Sequence, residues 1–271
     1  MTSGRLAGWR GWVCPWVSTV PGLVVRRWVH DGSSSPGPEV PVFGPPQGAA
    51  RASDFGAVGG VAGFGYVLGV AFERLRQLAV SLGVEVTPSQ EASIRRFLEL
   101  LLLWNARINL TAARTSEAVV AEHLPDSLAM AALVPPGLRV VDIGAGGGLP
   151  AIPFAILRPD VSLTLSEPRA KRAAFLRAAC RELSLPALEV TGARLDAATP
   201  WPARFDVASS RATFPPAEWL SLSPNVLTPE GQTLVFATRP TDVPSPTPPS
   251  RSLSYETAHH HPRWAALFRS T

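Results

Sequence analysis

The sequence is poor in cysteine and in long uninterrupted hydrophobic runs. Its two cysteines, Cys14 and Cys180, lie far apart in the chain, which argues against a disulfide framework or a cysteine-rich metal cluster. A reducing, cytoplasmic location is therefore expected. The hydrophobic run over residues 13–25 is broken by Pro15 and Pro21, so we expect neither a cleaved signal peptide, nor a membrane-spanning helix, nor a membrane partner.

Lysine is also almost absent, because Lys171 is the only lysine among 25 basic residues. The formal net charge of +4 thus comes from arginine, which suits contacts with phosphates and bases. A GC-rich genome would produce the same bias, so charge alone does not identify a partner. With 271 residues and 46% hydrophobic composition, the chain is long enough for one sizeable core or two small ones.

Regular hydrophobic periodicity starts well inside the chain. Residues 1–66 contain 13 of the 22 glycines and show no sustained period of 2 or 3.6. We predict a disordered extension there, with a tryptophan-bearing tail that binds a partner as the alternative. Residues 67–136 show helical periodicity and helix start signals, such as Thr87 followed by Gln90. They are predicted to form an N-terminal helical subdomain.

From residue 137 onward, short apolar runs alternate with helical patterns. The predicted strands cover residues 139–143, 162–166, 188–191, 205–209 and 233–237, and the predicted helices lie near residues 149–157, 170–183 and 216–222. Such alternation is typical of a parallel sheet covered by helices. Residues 253–258 and 265–268 are predicted to form a hairpin that completes a domain over residues 137–271.

The most informative stretch covers residues 138–156, where a predicted strand runs into a glycine-rich turn and then a helix. Such a turn lets backbone N–H groups approach a ligand closely. Asp142 stands at the mouth of the turn, and Glu167, 23 residues after Gly144, ends the next strand. A carboxylate there accepts both hydroxyls of a ribose. We therefore predict a ribose-containing ligand; a purely structural glycine turn is the alternative.

The order of the motifs resembles the RsmG (GidB) family, bacterial 16S rRNA guanine-N7 methyltransferases of the class I S-adenosylmethionine-dependent superfamily. The similar segments are LLLLWNARINLTA, EHLPDSLA, VVDIGAGGGLPAIPFA, KRAAFLRAACREL, GARLDA and SSRA. The glycine turn is common to the whole superfamily, whereas WNARINLTA followed by HLPDS and GLPAIP is much more specific. The resemblance implies an α/β, Rossmann-like sheet with helices on both faces, and methylation of N7 of a guanine in the 530 loop.

The resemblance also implies which residues hold the cofactor, S-adenosyl-L-methionine. The expected contacts are Gly144, Gly146 and Leu149 in the turn, Leu195 and Asp196 after the third strand, and Arg211 after the fourth. Asp142 and Glu167 are general methyltransferase positions, expected near the methionine amine and the ribose. Beyond residue 237 the sequence departs from the family pattern, because a proline-rich linker replaces an expected helix.

A second set of polar residues is expected to line the RNA side of the cofactor pocket. These residues are Asn109, His123, Asp126, Lys171 and Arg172. Each also has a plainer interpretation, namely helix caps for Asn109 and Asp126, packing for His123 and solvated charge for the other two. The expected substrate is 16S rRNA, free or within the 30S subunit, and the expected oligomeric state is a monomer.

The chemistry of guanine N7 explains why the sequence assigns no catalytic residue. N7 carries an in-plane lone pair and no proton, so alignment of the reacting atoms is sufficient and no general base is required. Cys180 falls in a helical pattern and is expected to pack in the core rather than act as a nucleophile. The histidines at 259–261 have no partner ligands nearby in sequence, so we predict a polar turn and no metal site.

Two other functions stay open at this point. The residues Gly146, Gly148 and Ala151 fit a loose dinucleotide-binding pattern, which would suit an NAD-dependent oxidoreductase. However, Tyr66 and Tyr255 lack the sequence partners that such an enzyme would need. A catalytically inactive, methyltransferase-like protein that binds RNA is the other alternative.

Overall fold

The computed structural model describes residues 12–13, 17–20, 23–30, 61–195, 201 and 204–270. The helices are α1 (Val61–Leu82), α2 (Pro88–Asn105), α3 (Ser116–Glu122), α4 (Leu124–Leu133), α5 (Ala151–Leu157), α6 (Ala170–Glu182) and α7 (Pro216–Leu222). The strands are β1 (Trp12–Val13), β2 (Val17–Val20), β3 (Leu23–His30), β4 (Arg139–Ile143), β5 (Ser162–Ser166), β6 (Leu188–Thr191), β7 (Phe205–Ser209), β8 (Leu227–Ala237), β9 (Arg251–Glu256) and β10 (Pro262–Arg269). No helix among these residues is long and apolar enough to cross a membrane.

Helix α2 begins at the start signal predicted from the sequence, Thr87 followed by Gln90. The backbone N–H of Gln90 donates to Oγ1 of Thr87 at 3.2 Å, and Oε1 of Gln90 accepts from the backbone N–H of Thr87 at 2.9 Å. This capping box fixes the start of α2. Helix α1 starts at Val61, six residues before the predicted boundary. Most of residues 1–66, for which a disordered extension is predicted, lie outside the described residues. Of the described part, β3 pairs antiparallel with β9.

The sheet has the strand order β1-β3-β9-β10-β8-β7-β4-β5-β6 along its main path, and β2 pairs with β3 off this path. Strands β8, β7, β4, β5 and β6 run parallel, whereas β10 is antiparallel to both β8 and β9. The predicted terminal hairpin is confirmed, and between β8 and β9 the chain forms only the short 3-10 helix Pro240–Asp242. The five parallel strands form the Rossmann-like sheet that the sequence predicts.

Alternate residues of the strands enter two separate hydrophobic cores. Val140 belongs to the larger core with the helical subdomain, whereas its neighbour Val141 belongs to the smaller core around Trp219 of α7. Leu234 and Val235 of β8 divide in the same way. Because successive side chains of a strand point to opposite faces, helices cover both faces, as predicted.

Candidate active site

The glycine-rich turn after β4 lies at the carboxyl edge of the sheet. The backbone N–H groups of Gly144 and Ala145 both donate to the carbonyl of Ser166, at 2.9 and 3.0 Å, so the turn is fastened to the end of β5. Gly144 has a φ of +76°, and a Cβ there would lie 2.3 Å from Oγ1 of Thr213. A side chain is therefore excluded by both backbone conformation and space.

Gly147 shows that part of the turn serves packing. A Cβ at this position would lie 3.1 Å from the carbonyl oxygen of Leu110 and 3.2 Å from Cδ1 of Leu101. The segment after α2 thus rests directly on the turn. This explains why the family-specific WNARINLTA segment accompanies the glycine motif, since the two form one packed unit.

Asn105, within that segment, holds the loop after α2 in shape. Its side-chain amide donates to the carbonyls of Thr111 and Ala113 at 3.0 and 3.1 Å, and its Oδ1 accepts from the backbone N–H groups of Leu110 and Thr111. The buried side chain therefore satisfies four backbone groups. Sequence reasoning assigned no role to Asn105; its place next to a helix end and a polar loop was the available signal.

Glu167 connects the end of β5 to the glycine turn. Its side chain is buried, Oε2 accepts from the backbone N–H of Gly146 at 3.0 Å, and Oε1 accepts from the backbone N–H of Arg169 at 2.9 Å. A carboxylate has about four acceptor positions, so these two bonds leave capacity for the hydroxyls of a ribose. Glu167 thus shapes the turn and keeps acceptor capacity at the strand end.

Asp142 lies beneath the same turn, near the end of β4. It is fully buried, and the hydroxyl of Ser209 on β7 donates to its Oδ1 at 2.6 Å. Burial raises the pKa of Asp142 to about 7, although the bond from Ser209 and the charge of Arg211 oppose the shift. A cationic group placed nearby would favour the ionised form, which suits the amine of a bound methionine moiety.

These features fit S-adenosylmethionine. The glycine cradle provides close backbone approach, and two carboxylates stand at the ends of adjacent parallel strands, which is where ligands of such sheets bind. Leu149 is half-buried at the turn, and Leu195 is buried in the smaller core. Asp196, predicted as a further contact, lies outside the described residues.

Three residues predicted from two separate segments, EHLPDSLA and SSRA, meet in one network around the buried Asp126. Nε of Arg211 lies 2.7 Å from Oδ2 of Asp126, and Nη2 of Arg211 lies 2.8 Å from Nδ1 of His123. The hydroxyl of Tyr255 donates to Oδ1 of Asp126 at 2.6 Å. Asp126 thus bonds to Arg211 and Tyr255 instead of capping its helix. The network joins α4, the loop after β7 and the terminal hairpin.

Protonation of His123 follows from this geometry. Burial, and then the positive charge of Arg211, lowers the pKa of His123 to about 4. The imidazole is therefore neutral near pH 7. Because an arginine only donates, Nδ1 of His123 must accept, and Nε2 carries the proton. Burial and the neighbouring Asp126 raise the pKa of Tyr255, which keeps its hydroxyl protonated as a donor.

A pocket of about 280 Å³ opens beside this network, at the carboxyl ends of β7 and β8. Residues that line it include Asp126, Arg211, Phe214, Trp219, Phe236 and Arg263. The rings of Phe214 and Trp219 stack with centroids 5.8 Å apart and an interplanar angle of 8°. Sequence reasoning missed the aromatic residues and Arg263. Phe214 follows the fourth predicted strand and Phe236 lies in the fifth, whereas Arg263 lies between the two segments of the predicted hairpin, where no local signal indicates a pocket.

The remaining predicted RNA contacts lie on the other side of the turn. Lys171 is exposed at the start of α6. Nη2 of Arg172 donates to the carbonyl oxygen of Asn109 at 3.0 Å, and Nη1 lies 3.7 Å from the position of a Cβ at Gly146. Asn109 itself is exposed and meets Arg172 through its backbone. Arg172 and Asn109 thus flank the glycine turn, whereas His123 and Asp126 border the pocket.

Cys180 and the histidines at 259–261 were considered above as a nucleophile and as metal ligands, and their surroundings in the structure are as follows. Cys180 packs against the larger core, and burial raises the pKa of its thiol to about 11, which disfavours the nucleophilic thiolate. The histidines lie in the turn between β9 and β10, as predicted. Nδ1 of His261 lies 3.1 Å from Glu122, and Nδ1 of His260 lies 3.1 Å from Glu256.

Comparisons with known proteins agree with the motifs. A family model described as rRNA small subunit methyltransferase G matches residues 90–241. The ribosomal RNA small subunit methyltransferase G of Chromobacterium violaceum is 39% identical over 159 residues, which cover 59% of this chain and 76% of that protein. The protein of the same name from Laribacter hongkongensis is 41% identical over 160 residues, with the same coverage of 59% and 76%.

Among solved structures, TrmN from Thermus thermophilus has a TM-score of 0.44 and 22% identity, over 65% of this chain and 52% of that chain. The family model spans more than half of the chain, and it includes the WNARINLTA segment, the glycine turn and the loop after β7. The resemblance inferred from the sequence is confirmed. The chain belongs to the rRNA small subunit methyltransferase G family of S-adenosylmethionine-dependent methyltransferases.

Proposed function

We propose that this protein transfers a methyl group from S-adenosylmethionine to N7 of a guanine in the 530 loop of 16S rRNA. One observation carries the proposal. The edge of the sheet that holds Asp142, Glu167 and the glycine turn also holds, one strand further along, the pocket at β7 and β8. A donor site and an acceptor pocket on the same edge are what direct transfer between two ligands requires.

The chemistry needs little from side chains beyond placement. When bound, S-adenosylmethionine would supply an electrophilic methyl group, with S-adenosylhomocysteine as the leaving group. No proton leaves N7, so no residue has to act as a base. The hydrogen-bonded turn and the ion pair between buried Asp126 and half-buried Arg211 instead orient the two sides of the site, and orientation of this kind lowers a barrier substantially.

On the donor side, each proposed role belongs to a residue of the glycine turn or of a strand end. Glu167 is proposed to accept the ribose hydroxyls, and Asp142 to face the methionine amine. Gly144 and Gly146 are proposed to let the backbone of the turn approach the ligand closely. These roles are supported by the buried carboxylates at neighbouring strand ends. Contacts from Leu149, Leu195, Asp196 and Arg211 are proposed from the family pattern.

On the RNA side we propose that the exposed Lys171 contacts phosphates close to the donor site. Arg172 is proposed to do so with its remaining donors, since one already bonds the carbonyl of Asn109. Phosphate contacts position an RNA without reading its sequence, whereas an exposed base is read by contacts to its edges. We further propose that a monomer acts on free 16S rRNA or the 30S subunit in the cytoplasm.

Methyl transfer from labelled S-adenosylmethionine tests the proposed function. The purified protein is incubated with 30S subunits or naked 16S rRNA, and the labelled base is mapped. Label at N7 of one guanine of the 530 loop is expected. Calorimetric binding of NAD without binding of S-adenosylmethionine would instead favour an oxidoreductase. Binding of RNA and cofactor without transfer to either substrate would identify an inactive binder.

A further inference from the structure

The pocket at β7 and β8 has an arginine that the donor site does not use. In the pairing of β10 with β8, Trp264 is opposite Ala237, the last residue of β8. Arg263 therefore lies just beyond the carboxyl end of β8. Arg211 occupies the corresponding place after β7, so two guanidinium groups border the polar end of the same pocket.

The two arginines differ in how their donors are used. Arg211 contacts Asp126 through Nε and His123 through Nη2. Nη1 of Arg263 donates to the carbonyl of Pro262 at 3.2 Å, and its Nη2 lies 3.6 Å from Oε2 of Glu122. A guanidinium has five N–H donors, so most of the donor capacity of Arg263 is left for a molecule in the pocket. Its side chain is 27% exposed.

The pocket also has aromatic walls. Phe214, stacked on Trp219, packs against the smaller core, Phe236 packs against the larger core, and both phenylalanines are half-buried residues that line the pocket. Unstacked RNA bases bind by stacking on aromatic side chains and by hydrogen bonds along their edges. A pocket with aromatic walls and a guanidinium at one end is therefore suited to a purine that offers acceptors.

Guanine and adenine differ at the atom next to N7 on the same edge. Guanine carries O6, an acceptor, whereas adenine carries the N6 amino group, a donor. An arginine can bond O6 but is repelled by an amino group. A single contact at O6 also leaves the N7 lone pair free for the methyl group, which a bidentate contact to both atoms would not.

We propose that Arg263 is a specificity-determining residue that donates a hydrogen bond to O6 of the target guanine and so places N7 for methylation. This inference rests on the proposed function, and it assigns to the terminal hairpin a direct part in selecting the base. Arg211, held by Asp126 and His123, forms the fixed wall against which that base is placed.

The test compares Arg263→Gln, Arg263→Lys and the control Arg269→Gln in single-turnover methylation of 16S rRNA. Arg269 is exposed at the other end of the same strand. The Arg263→Gln variant is expected to react about ten- to a hundredfold more slowly, as loss of a charge-assisted hydrogen bond predicts. Arg263→Lys should be intermediate, and the control should match the wild type. Binding of S-adenosylmethionine and of rRNA should change less than twofold.

A substitution in the RNA then addresses O6 itself. The rRNA is assembled by ligation around a synthetic segment with guanine or 6-thioguanine at the mapped base, since sulfur is the weaker acceptor. The thio substitution should slow the wild type and the Arg269→Gln control several-fold, and should have little effect on Arg263→Gln. Such non-additivity is the mark of two groups that interact.

Several results would overturn the proposal. One is an equal slowing by 6-thioguanine in all the proteins, and another is an unchanged methylation rate in Arg263→Gln. A third is that Arg263→Gln loses only RNA affinity, with a shallower salt dependence of binding, which would indicate a phosphate contact. Absence of methyl transfer by the wild type would instead count against the proposed function. Thermal unfolding of each variant separates these effects from loss of the fold.

Discussion

The hydroxyl of Tyr255 on β9 donates a 2.6 Å hydrogen bond to Oδ1 of Asp126 on α4, and both side chains are buried. The two residues are 129 positions apart in the sequence. Since the other oxygen of Asp126 pairs with Arg211, the carboxylate joins the terminal hairpin to the loop that borders the pocket. The hairpin is thereby part of the site and not an appendage of the sheet.

The first prediction concerns Tyr255→Phe, which removes the hydroxyl and keeps the ring. Asp126 would keep its bond to Arg211 but lose a buried donor, so the free energy of unfolding should fall by about 1–3 kcal/mol. Denaturant unfolding measures this loss. Ser254→Ala is the control, because Ser254 is exposed on the same strand. Equal stability of the two variants would contradict a stabilising role for this bond.

A second prediction concerns Gly144→Ala. The new methyl group would meet Thr213, and alanine would have to adopt a φ of +76°. We expect a loss of about 1–3 kcal/mol from the strained conformation alone, with weaker S-adenosylmethionine binding as the turn shifts. Gly192→Ala is the control, because no atom lies within 4 Å of a Cβ there. Thermal unfolding and calorimetry measure the two effects; identical behaviour of both variants would contradict the prediction.

Local signals explain why much of the fold could be predicted. The capping box at Thr87 and the apolar runs of β4 to β7 depend on residues that are close in sequence, and the observed elements agree with them. Strand β8 is longer than predicted and starts at Leu227. Residues 229–231 there, Pro-Glu-Gly, have the composition of a turn. None of them is in register with β7 or β10, and the register with β7 shifts between Leu227 and Gln232, so the turn composition coincides with an irregularity within the strand.

The site was less accessible to prediction, because its contacts are long-range. Asp126 was identified from a motif, but its partner Tyr255 belongs to a hairpin more than a hundred residues away. Arg263 reaches the pocket only because β10 inserts between β8 and β9. Composition and periodicity do not contain this order of strands. The resemblance to a family predicted the cofactor-binding residues, because short motifs are sufficient to identify them. It did not predict the aromatic residues and Arg263 of the pocket.

A third prediction is a pH dependence of stability caused by Asp142. Its folded pKa of about 7 is above the ordinary value of 3.8 because of burial, so between these values the folded state binds the proton and the unfolded state does not. The contribution of Asp142 to stability is therefore fully present below about pH 4 and falls as pH rises toward 7. Asp142→Asn, which stays neutral, should remove this decline, and denaturant unfolding at several pH values measures it.

The control for this dependence is Asp160→Asn. Hydrogen bonds from Arg158 lower the pKa of Asp160 to about 2, so its contribution has the opposite sign and is lost as pH falls from about 4 toward 2. The variant should therefore leave the decline between pH 5 and 7 unchanged. If Asp142→Asn keeps the same slope as the wild type in that window, the raised pKa of Asp142 is wrong.

The last prediction concerns Glu167→Gln, and it separates the two roles of this side chain. The amide oxygen of glutamine is able to accept from Gly146, but the amide nitrogen would face the N–H of Arg169 and repel it. Loss of the ribose acceptor should weaken S-adenosylmethionine binding at least about tenfold, because bonds to a charged group contribute roughly 1.5–3 kcal/mol each. Calorimetry measures the affinity.

The affinity for methionine, compared with that for the whole cofactor, decides between the roles of Glu167. If the carboxylate only fastens the turn, Glu167→Gln should lower the free energy of unfolding. It should also weaken the binding of S-adenosylmethionine and of methionine, which lacks the adenosine part, to the same extent. If it holds the ribose, affinity for the whole cofactor should fall while that for methionine stays the same. Glu189→Gln, an exposed change on β6, should leave all three quantities unaltered. Because both oxygens already accept backbone bonds, the ribose role requires that the unused lone pairs face the ligand.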